Sequence, residues 1–289
     1  MLRPTTAYGA GRRSRLAYGT RGRFPPPDVA PPSARSAEAD DGRWKPFDDA
    51  QLSDGKSLVY TTVIHPHEAS RFIALTVVAI DLARARLEFL PGVDDVSKQR
   101  VPFAPGLVPA SDGRWGMRVG DSTLLPPREP GCTIALFAEG RVEISSWPAL
   151  APAAAEIRAL RQTPPCLLEQ GAVHADLVAG RDKAWAGHTP GIVTRRRSAI
   201  GLSQDAQTLF YAIGVETSPK LLASGLRAVG AATAAQLDIN WNWTRFLLFG
   251  TAADGKPSVA KALVQVEYSK RDYVELASKR DFFYVVKRH

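Results

Sequence analysis

The stretch RRRSAIGLSQDAQTLFYAIG, residues 195–214, decides the fold of this 289-residue chain. Its second half, 208–214, is rich in aromatic and aliphatic residues and predicts a β-strand. The three arginines stand directly before another apolar segment that predicts a strand. The sequence outside this stretch shows whether it belongs to an alternating α/β protein or to a strand-dominated one.

Strands dominate the prediction on both sides of this stretch. Runs of β-branched and aromatic residues, or apolar and polar alternation, predict strands at 58–64, 72–80, 86–90, 133–137, 141–145, 234–239, 245–249, 260–266 and 282–286. Glu139-Gly140 lies between two of them and predicts a hairpin turn.

Helices are fewer and do not alternate regularly with the strands. One helix is predicted over 219–229, because Ser218 suits the N-cap, Pro219 suits the first turn, and Gly230 suits the C-terminal left-handed position. An alanine-rich segment, 151–161, predicts a second helix. The fold class is therefore α+β, strand-dominated, with mixed or antiparallel sheets and a few packed helices, and a doubly wound parallel sheet is excluded.

The basic charge of the chain lies mainly at its N-terminus. The formal net charge is +8, and residues 1–35 contain seven arginines and one acidic residue, a net charge of +6. Prolines, glycines and few apolar residues predict that 1–45 form a disordered basic leader, and 46–289 are expected to form the folded domain. A nucleic-acid partner is therefore expected only as non-specific binding by the leader.

Targeting and metal signals are sparse. No apolar run reaches the ~18 residues of a membrane span, and the N-terminus lacks the apolar segment of a secretory signal. Cys132 and Cys166 either pair or stay reduced, but two cysteines make neither a disulfide framework nor a metal site. His65-Pro66-His67 invites a metal interpretation, yet the histidines lack ligand spacing. We expect no metal and no cofactor.

A second stretch, Leu237-Asp238-Ile239-Asn240-Trp241-Asn242-Trp243-Thr244, carries candidate chemistry. Asp238 follows an apolar run and should lie where a strand ends. If strand geometry continues, 238, 240, 242 and 244 form one polar row and the two tryptophans face the other way. Such a row suits sugar hydroxyls. The alternative is a polar strand end capped by a turn, with both tryptophans in the core.

The segment Arg197-Ser198-Ala199-Ile200-Gly201 resembles the Arg-Thr/Ser-Ala-Ile-Gly signature of phosphodiester glycosidase domains, which are similar to an enzyme that removes N-acetylglucosamine from phosphate diesters. The likeness covers about 130–250 and extends less closely from about 58. Where the family has Asp-Gly-Gly-Gly-Ser, this chain continues from Asp238 with Ile239-Asn240, a variant without the glycines.

The resemblance implies a hydrolase that cleaves a sugar-phosphate phosphodiester at the anomeric carbon, on a glycan or cell-envelope polysaccharide outside the cytoplasm. Asp238 is the expected catalytic carboxylate, and Arg197 the expected phosphate clamp, unless 195–197 are only a solvated charge run. The expected substrate-binding residues are Arg161, Gln162, Asn240, Trp241, Asn242 and Thr244. Glu216 and Asp112 are candidates for a second acid. The alternative is a non-catalytic carbohydrate-binding or exopolysaccharide-assembly protein on the same fold.

Overall fold

The computed structural model describes residues 23–47, 55–92, 115–185, 195–241, 243–265, 273–276, 278 and 280–288. The strands among them are β1 (Lys45–Pro46), β2 (Val59–Ile64), β3 (Leu75–Asp81), β4 (Ala85–Leu90), β5 (Met117–Val119), β6 (Ser122–Leu125), β7 (Cys132–Phe137), β8 (Val142–Ser146), β9 (Ile157–Thr163), β10 (Leu168–Glu169), β11 (Ala172–Val173), β12 (Arg195–Ser203), β13 (Thr208–Thr217), β14 (Ala231–Gln236), β15 (Leu247–Thr251), β16 (Pro257–Ala262) and β17 (Phe282–Lys287). The α-helices are α1 (Trp147–Leu150), α2 (Ala175–Val178) and α3 (Pro219–Ala228), and short 3₁₀ helices cover Ala151–Glu156 and Lys183–Trp185.

Two sheets carry most of these strands. The larger has the order β1-β2-β3-β13-β12-β14-β10-β11, and the smaller has the order β6-β5-β9-β7-β8. Two further ribbons pair β15 with β16 and β4 with β17. Every strand pairing among the described residues is antiparallel. The predicted α+β class with dominant strands is confirmed.

The main core lies between the two sheets. Ile200 and Val78 from the larger sheet pack in one cluster with Ile134 and Ala159 from the smaller sheet. The opposite face of the larger sheet is covered by α3 and by Trp185, which form a second cluster with Phe210. Since consecutive residues of a strand point to opposite faces, each buried strand of the larger sheet contributes to both cores.

The helix α3 forms as its capping residues predicted. The Ser218 hydroxyl accepts the Leu221 backbone N–H at 3.2 Å, and Gly230 has a φ of +97°. Leu222 and Leu226 of its apolar stripe are fully buried. Gly225 lets the helix approach the sheet closely, because a Cβ atom there would lie 2.4 Å from a methyl group of Leu75.

The second predicted helix, over 151–161, is wrong in its C-terminal half. A 3₁₀ helix ends at Glu156, and Ile157–Thr163 form the central strand β9 of the smaller sheet, paired on one side with β5 and on the other with β7. The alanines favour a helix locally, but hydrogen-bonding partners on both sides outweigh that preference.

The structure also differs from the prediction that disorder extends to residue 45. Residues 23–47 pack on the second core through Phe24, Val29 and Trp44. The buried carboxylate of Asp41 bonds His65 Nδ1 at 2.8 and 2.9 Å. These side chains bury themselves against the domain, which the composition of the segment alone does not reveal. Residues 1–22 lie outside the described residues.

Cys132 and Cys166 form a disulfide with a Cα–Cα distance of 4.6 Å. Cys132 belongs to β7 of the smaller sheet. Cys166 precedes β10, and the next residue, Leu167, donates its N–H to the Ala234 carbonyl of β14 in the larger sheet at 2.8 Å. The covalent link therefore holds the two sheets together near the end of β14.

We expect the double variant Cys132→Ala/Cys166→Ala to lower the free energy of unfolding by about 4 kcal/mol, because a 34-residue loop is no longer closed in the unfolded chain. Urea denaturation of the oxidised protein measures this change. Reduction should destabilise the wild type and leave the double variant unaffected. An unchanged wild-type midpoint under reducing conditions would contradict the prediction.

Candidate functional site

Asp238 lies at the end of β14, as the sequence predicted. The ladder between β12 and β14 continues past Gln236, with the Leu237 N–H bonded to the Ser198 carbonyl and the Ser198 N–H bonded to the Asp238 carbonyl, both at 2.8 Å. These two bonds fix the Asp238 backbone beside the signature segment that begins at Arg197.

Among the described residues, the Asp238 carboxylate combines burial with an unfilled hydrogen-bonding position. The residue is partly exposed, but its Oδ1 atom is buried and has no hydrogen-bond partner within the described parts of the chain. Burial raises the pKa of Asp238 well above that of an ordinary aspartate, and the negative charge of Asp281 raises it further. Arg161, Arg280 and Arg245 oppose this rise in pKa through their positive charges.

Asp281 is a second carboxylate of this cluster, and no motif in the sequence predicted it. Its Oδ2 accepts the Arg161 Nε–H at 2.7 Å, and both side chains are less than a tenth exposed. Asp281 directly precedes β17, and it lies 120 positions from Arg161. The only sequence signal is an Arg-Asp pair in front of a predicted strand. Glu216, a predicted candidate, is exposed on β13, and Asp112 lies outside the described residues.

Arg161 lies near enough to Asp238 for its positive charge to act on that carboxyl group, and its hydrogen bonds go to protein groups. Its Nη1 donates to the Trp115 carbonyl at 2.9 Å and to the Gln162 carbonyl at 3.1 Å. The side chain is fixed from several directions and presents its charge to both carboxylates.

Arginines stack on the two tryptophans beside Asp238. The guanidinium carbons of Arg245 and Arg280 lie 5.1 and 5.8 Å from the ring centroid of Trp243. Arg196 lies 5.3 Å from the ring of Trp241, whose side chain is 59% exposed. This arrangement presents positive charge and aromatic surface together.

Tyr211 completes the buried side of the cluster. It lies on β13 opposite Ile200 of β12 and is 9% exposed. Burial raises the pKa of the Tyr211 phenol, and the nearby charge of Asp238 adds to this rise. The hydroxyl of Ser198 hydrogen bonds to the phenol and opposes the rise in its pKa.

The predicted polar row beyond Asp238 does not form, because the chain turns after β14. Asn240 Oδ1 accepts the Trp243 backbone N–H at 2.7 Å, and the Thr244 hydroxyl donates to the Asn240 carbonyl at 2.6 Å. Thr244 is fully buried and shapes the loop. The capped turn of the alternative interpretation is present, but Trp241 is exposed instead of in the core. Asn242 lies outside the described residues.

Gln162 lies away from any ligand-facing surface. It is fully buried, its Oε1 accepts the backbone N–H groups of Gly116 and Arg128, and its Nε2 donates to the Arg128 carbonyl and the Thr133 hydroxyl. These four bonds use its full capacity. Gln162 therefore ties β9 to the loop before β7 and is not placed to contact a sugar.

Arg197 has a different role from the predicted phosphate clamp. It is fully buried on the α3 side of the larger sheet, whereas the neighbouring residue Ser198 faces Tyr211. Its guanidinium donates to the carbonyls of Thr217 and Trp185 and to Gln236 Oε1, at 2.8 to 3.1 Å. Burial lowers the pKa of Arg197 to about 10, so the group stays charged at neutral pH. It fixes the strand that carries Ser198.

The histidine pair of the sequence analysis also has structural partners. His65 bonds Asp41, and His67 Nδ1 accepts the backbone N–H groups of Ala69 and Ser70. Within the described parts of the chain, no group of three His, Cys, Asp or Glu side chains is arranged to hold a metal ion. No helix among these residues is long and apolar enough to cross a membrane.

Comparison with known proteins gives structural likeness only. No family model matches the chain, and no curated protein matches it. The zebrafish N-acetylglucosamine-1-phosphodiester alpha-N-acetylglucosaminidase catalytic domain, auto-inhibited by its pro-peptide, has a TM-score of 0.48 at 11% identity, over 84% of this chain and 87% of that one. A hypothetical protein from Synechocystis has a TM-score of 0.44 at 11% identity, over 80% and 62% of the two chains. A putative exported protein from Burkholderia pseudomallei has a TM-score of 0.31 at 12% identity, over 59% and 68%.

We expect Arg197→Met to destabilise the protein by about 3 kcal/mol or more, because three buried acceptors lose their donor. Chemical denaturation measures this loss. The control is Arg181→Met, at a side chain that is 67% exposed, which should change the free energy of unfolding by no more than about 0.5 kcal/mol. A fully stable Arg197→Met protein would contradict the structural role.

We expect Asp238→Asn to raise the melting temperature at neutral pH. A carboxyl group whose pKa is raised by folding stabilises the protein fully only below the pKa of the unfolded group, 3.8, and that stability is lost as the pH rises through the folded pKa. The amide at this position does not ionise. Thermal unfolding of both proteins from pH 3 to pH 8 should show a difference that grows with pH, and a constant difference would refute the raised pKa.

Proposed function

We propose that this chain is a hydrolase that cleaves a sugar-phosphate phosphodiester at the anomeric carbon. The observation that carries this proposal is the buried Oδ1 of Asp238, which has no hydrogen-bond partner among the described residues and lies among three arginine charges and a second carboxylate. A buried polar atom without a partner is costly and is common where a ligand supplies the missing contact.

The charges around Asp238 favour an anionic substrate. Arg161, Arg245 and Arg280 act directly on Asp238, and Arg196 acts on the adjoining Tyr211. Three guanidinium groups thus act on the Asp238 carboxyl group, and a fourth acts on the phenol next to it. A phosphate diester supplies the negative charge that such a surface attracts, and arginine binds phosphate through paired hydrogen bonds.

Cleavage at the anomeric carbon needs a carboxyl group beside the bond that breaks. Asp238 fills this role in the proposal. Arg245 and Arg280 hold the phosphate, and the exposed face of Trp241 stacks on an apolar face of the sugar.

Other residues support these substrate contacts. Arg161 and Asn240 orient the contacting side chains. Thr244 and Gln162 support the loops of the site from within the fold, and Arg197 fixes the strand behind the site. Asn242 remains a proposed substrate contact.

The setting that we propose is outside the cytoplasm, on a glycan or cell-envelope polysaccharide, with residues 46–289 and the packed segment before them forming the glycosidase-like domain. The disulfide between Cys132 and Cys166 supports this setting, because disulfides persist mainly in oxidising compartments.

We expect wild-type protein to release N-acetylglucosamine and phenyl phosphate from a phenyl phosphodiester of N-acetylglucosamine 1-phosphate, measured as free sugar. Asp238→Asn should reduce kcat/KM by about 10²–10⁴-fold, because the amide supplies neither a proton nor a carboxylate. The control Asp254→Asn changes an exposed carboxylate between β15 and β16 and should leave the rate unchanged. Inactivity of the wild type on N-acetylglucosamine and hexose diesters alike would refute hydrolysis.

The second candidate is a non-catalytic carbohydrate-binding protein. The observation that favours it is Trp241, a 59% exposed aromatic ring backed by Arg196, in a loop where bulky residues replace glycines. In this case wild type and Asp238→Asn are both inert in the assay, and both retain glycan binding that Trp241→Ala abolishes.

A further inference from the structure

We propose that Asp281 is the second carboxylate of this site and holds the negative charge of the pair, fixed by Arg161, so that Asp238 keeps its proton and donates it to the leaving oxygen. The proton donation rests on the proposed hydrolysis. The division of charge between the two carboxylates does not, and it is measurable without a substrate.

Geometry assigns the charge to Asp281. Its Oδ2 is 2.7 Å from the Arg161 Nε atom, and the pair is buried. A carboxylate in such a bond is stabilised in its charged form. The Oδ1 atom of Asp238 has no comparable donor in the described parts of the chain, and two neighbouring carboxyl groups do not readily both ionise.

The groups that face Asp238 come from each element packed around it. Arg161 belongs to β9, Arg245 follows the loop after β14, and Arg280 and Asp281 immediately precede β17. From the larger sheet, Tyr211 of β13 faces the carboxyl group, with Ser198 and Arg196 of β12 beside the phenol. Among the described residues, Asp281 is the only carboxylate whose charge acts on Asp238; that charge opposes ionisation of Asp238, whereas the arginines favour it.

The bonds and protons of the chemical step balance when Asp238 is protonated and Asp281 is charged. The bond between C1 and the phosphate oxygen breaks, its electron pair goes to that oxygen, and the Asp238 proton is transferred to it. A water molecule bonds to C1 and loses one proton, which returns through solvent to the Asp238 carboxylate. Asp281 stays paired with Arg161 throughout and acts as a positioning residue.

The test is an NMR titration of aspartate carboxyl carbons in the full chain, with signals assigned from Asp238→Asn and Asp281→Asn. In the wild type, the Asp238 carbon should still report the protonated form at a pH well above 3.8, the pKa of an ordinary aspartate. An Asp238 carbon that ionises near 3.8 would overturn the proposal, and this measurement needs no variant to fold beyond those used for assignment.

Two variants should shift the pKa of Asp238 in opposite directions. Asp281→Asn removes a negative charge and should lower the pKa of Asp238, whereas Arg280→Gln removes a positive charge and should raise it, each by about one unit. The control Asp254→Asn should leave it unchanged. If Asp281 only anchors Arg161, Asp281→Asn reduces stability and leaves the Asp238 titration in place, which overturns the proposal.

Measuring the activity of the same variants tests the charge division between the two carboxylates separately from the proposed hydrolysis. The upper limb of the kcat/KM profile should move to lower pH in Asp281→Asn, in step with the NMR titration. If the wild type cleaves no diester but the titrations shift as expected, the charge division stands and the hydrolysis fails. If hydrolysis is observed and the profile of Asp281→Asn is unmoved, Asp281 has no part in it.

Discussion

The buried ion pair between Arg161 and Asp281 is the interaction on which the arrangement of the site depends. It joins β9, the central strand of the smaller sheet, to the start of the C-terminal strand β17. Burying two charges costs several kcal/mol per ion unless geometry and further hydrogen bonds compensate. Arg161 obtains those bonds from the Trp115 and Gln162 carbonyls. Because the pair is held on both sides, its charges act on Asp238 from a fixed position.

The larger sheet separates two kinds of buried polar group. On its α3 side, the guanidinium of Arg197 is satisfied by protein acceptors, among them Gln236. On the side that faces the smaller sheet, Ser198 and Tyr211 adjoin a carboxylate oxygen of Asp238 that has no partner within the described ranges of the chain. A group whose hydrogen bonds are all made inside the fold has none left for a ligand. The difference of one position along β12 therefore separates a residue that supports the fold from a residue of the site.

Local sequence patterns predicted the elements that depend on local physics. The hairpin between β7 and β8, the strand β13 and the helix α3 all lie within a few residues of their expected bounds. The error at β9 occurs where distant partners decide the outcome, because Ile157–Thr163 form a strand between β5 and β7. The error after Asp238 has a local cause, because the side chains of Asn240 and Thr244 bond within the loop itself and turn the chain.

By itself, the sequence determined the strand-dominated class, the position of Asp238 at the end of a strand, and the two tryptophans that follow it in the chain. Periodicity, capping residues and turn residues act over a few positions and can be recognised in any single chain. Only the tertiary structure decided that Asp281 faces Arg161 across 120 positions, that Arg197 points away from both, and that the two cysteines meet. Strand order and register bring these residues together, and both depend on pairings between segments far apart in the chain.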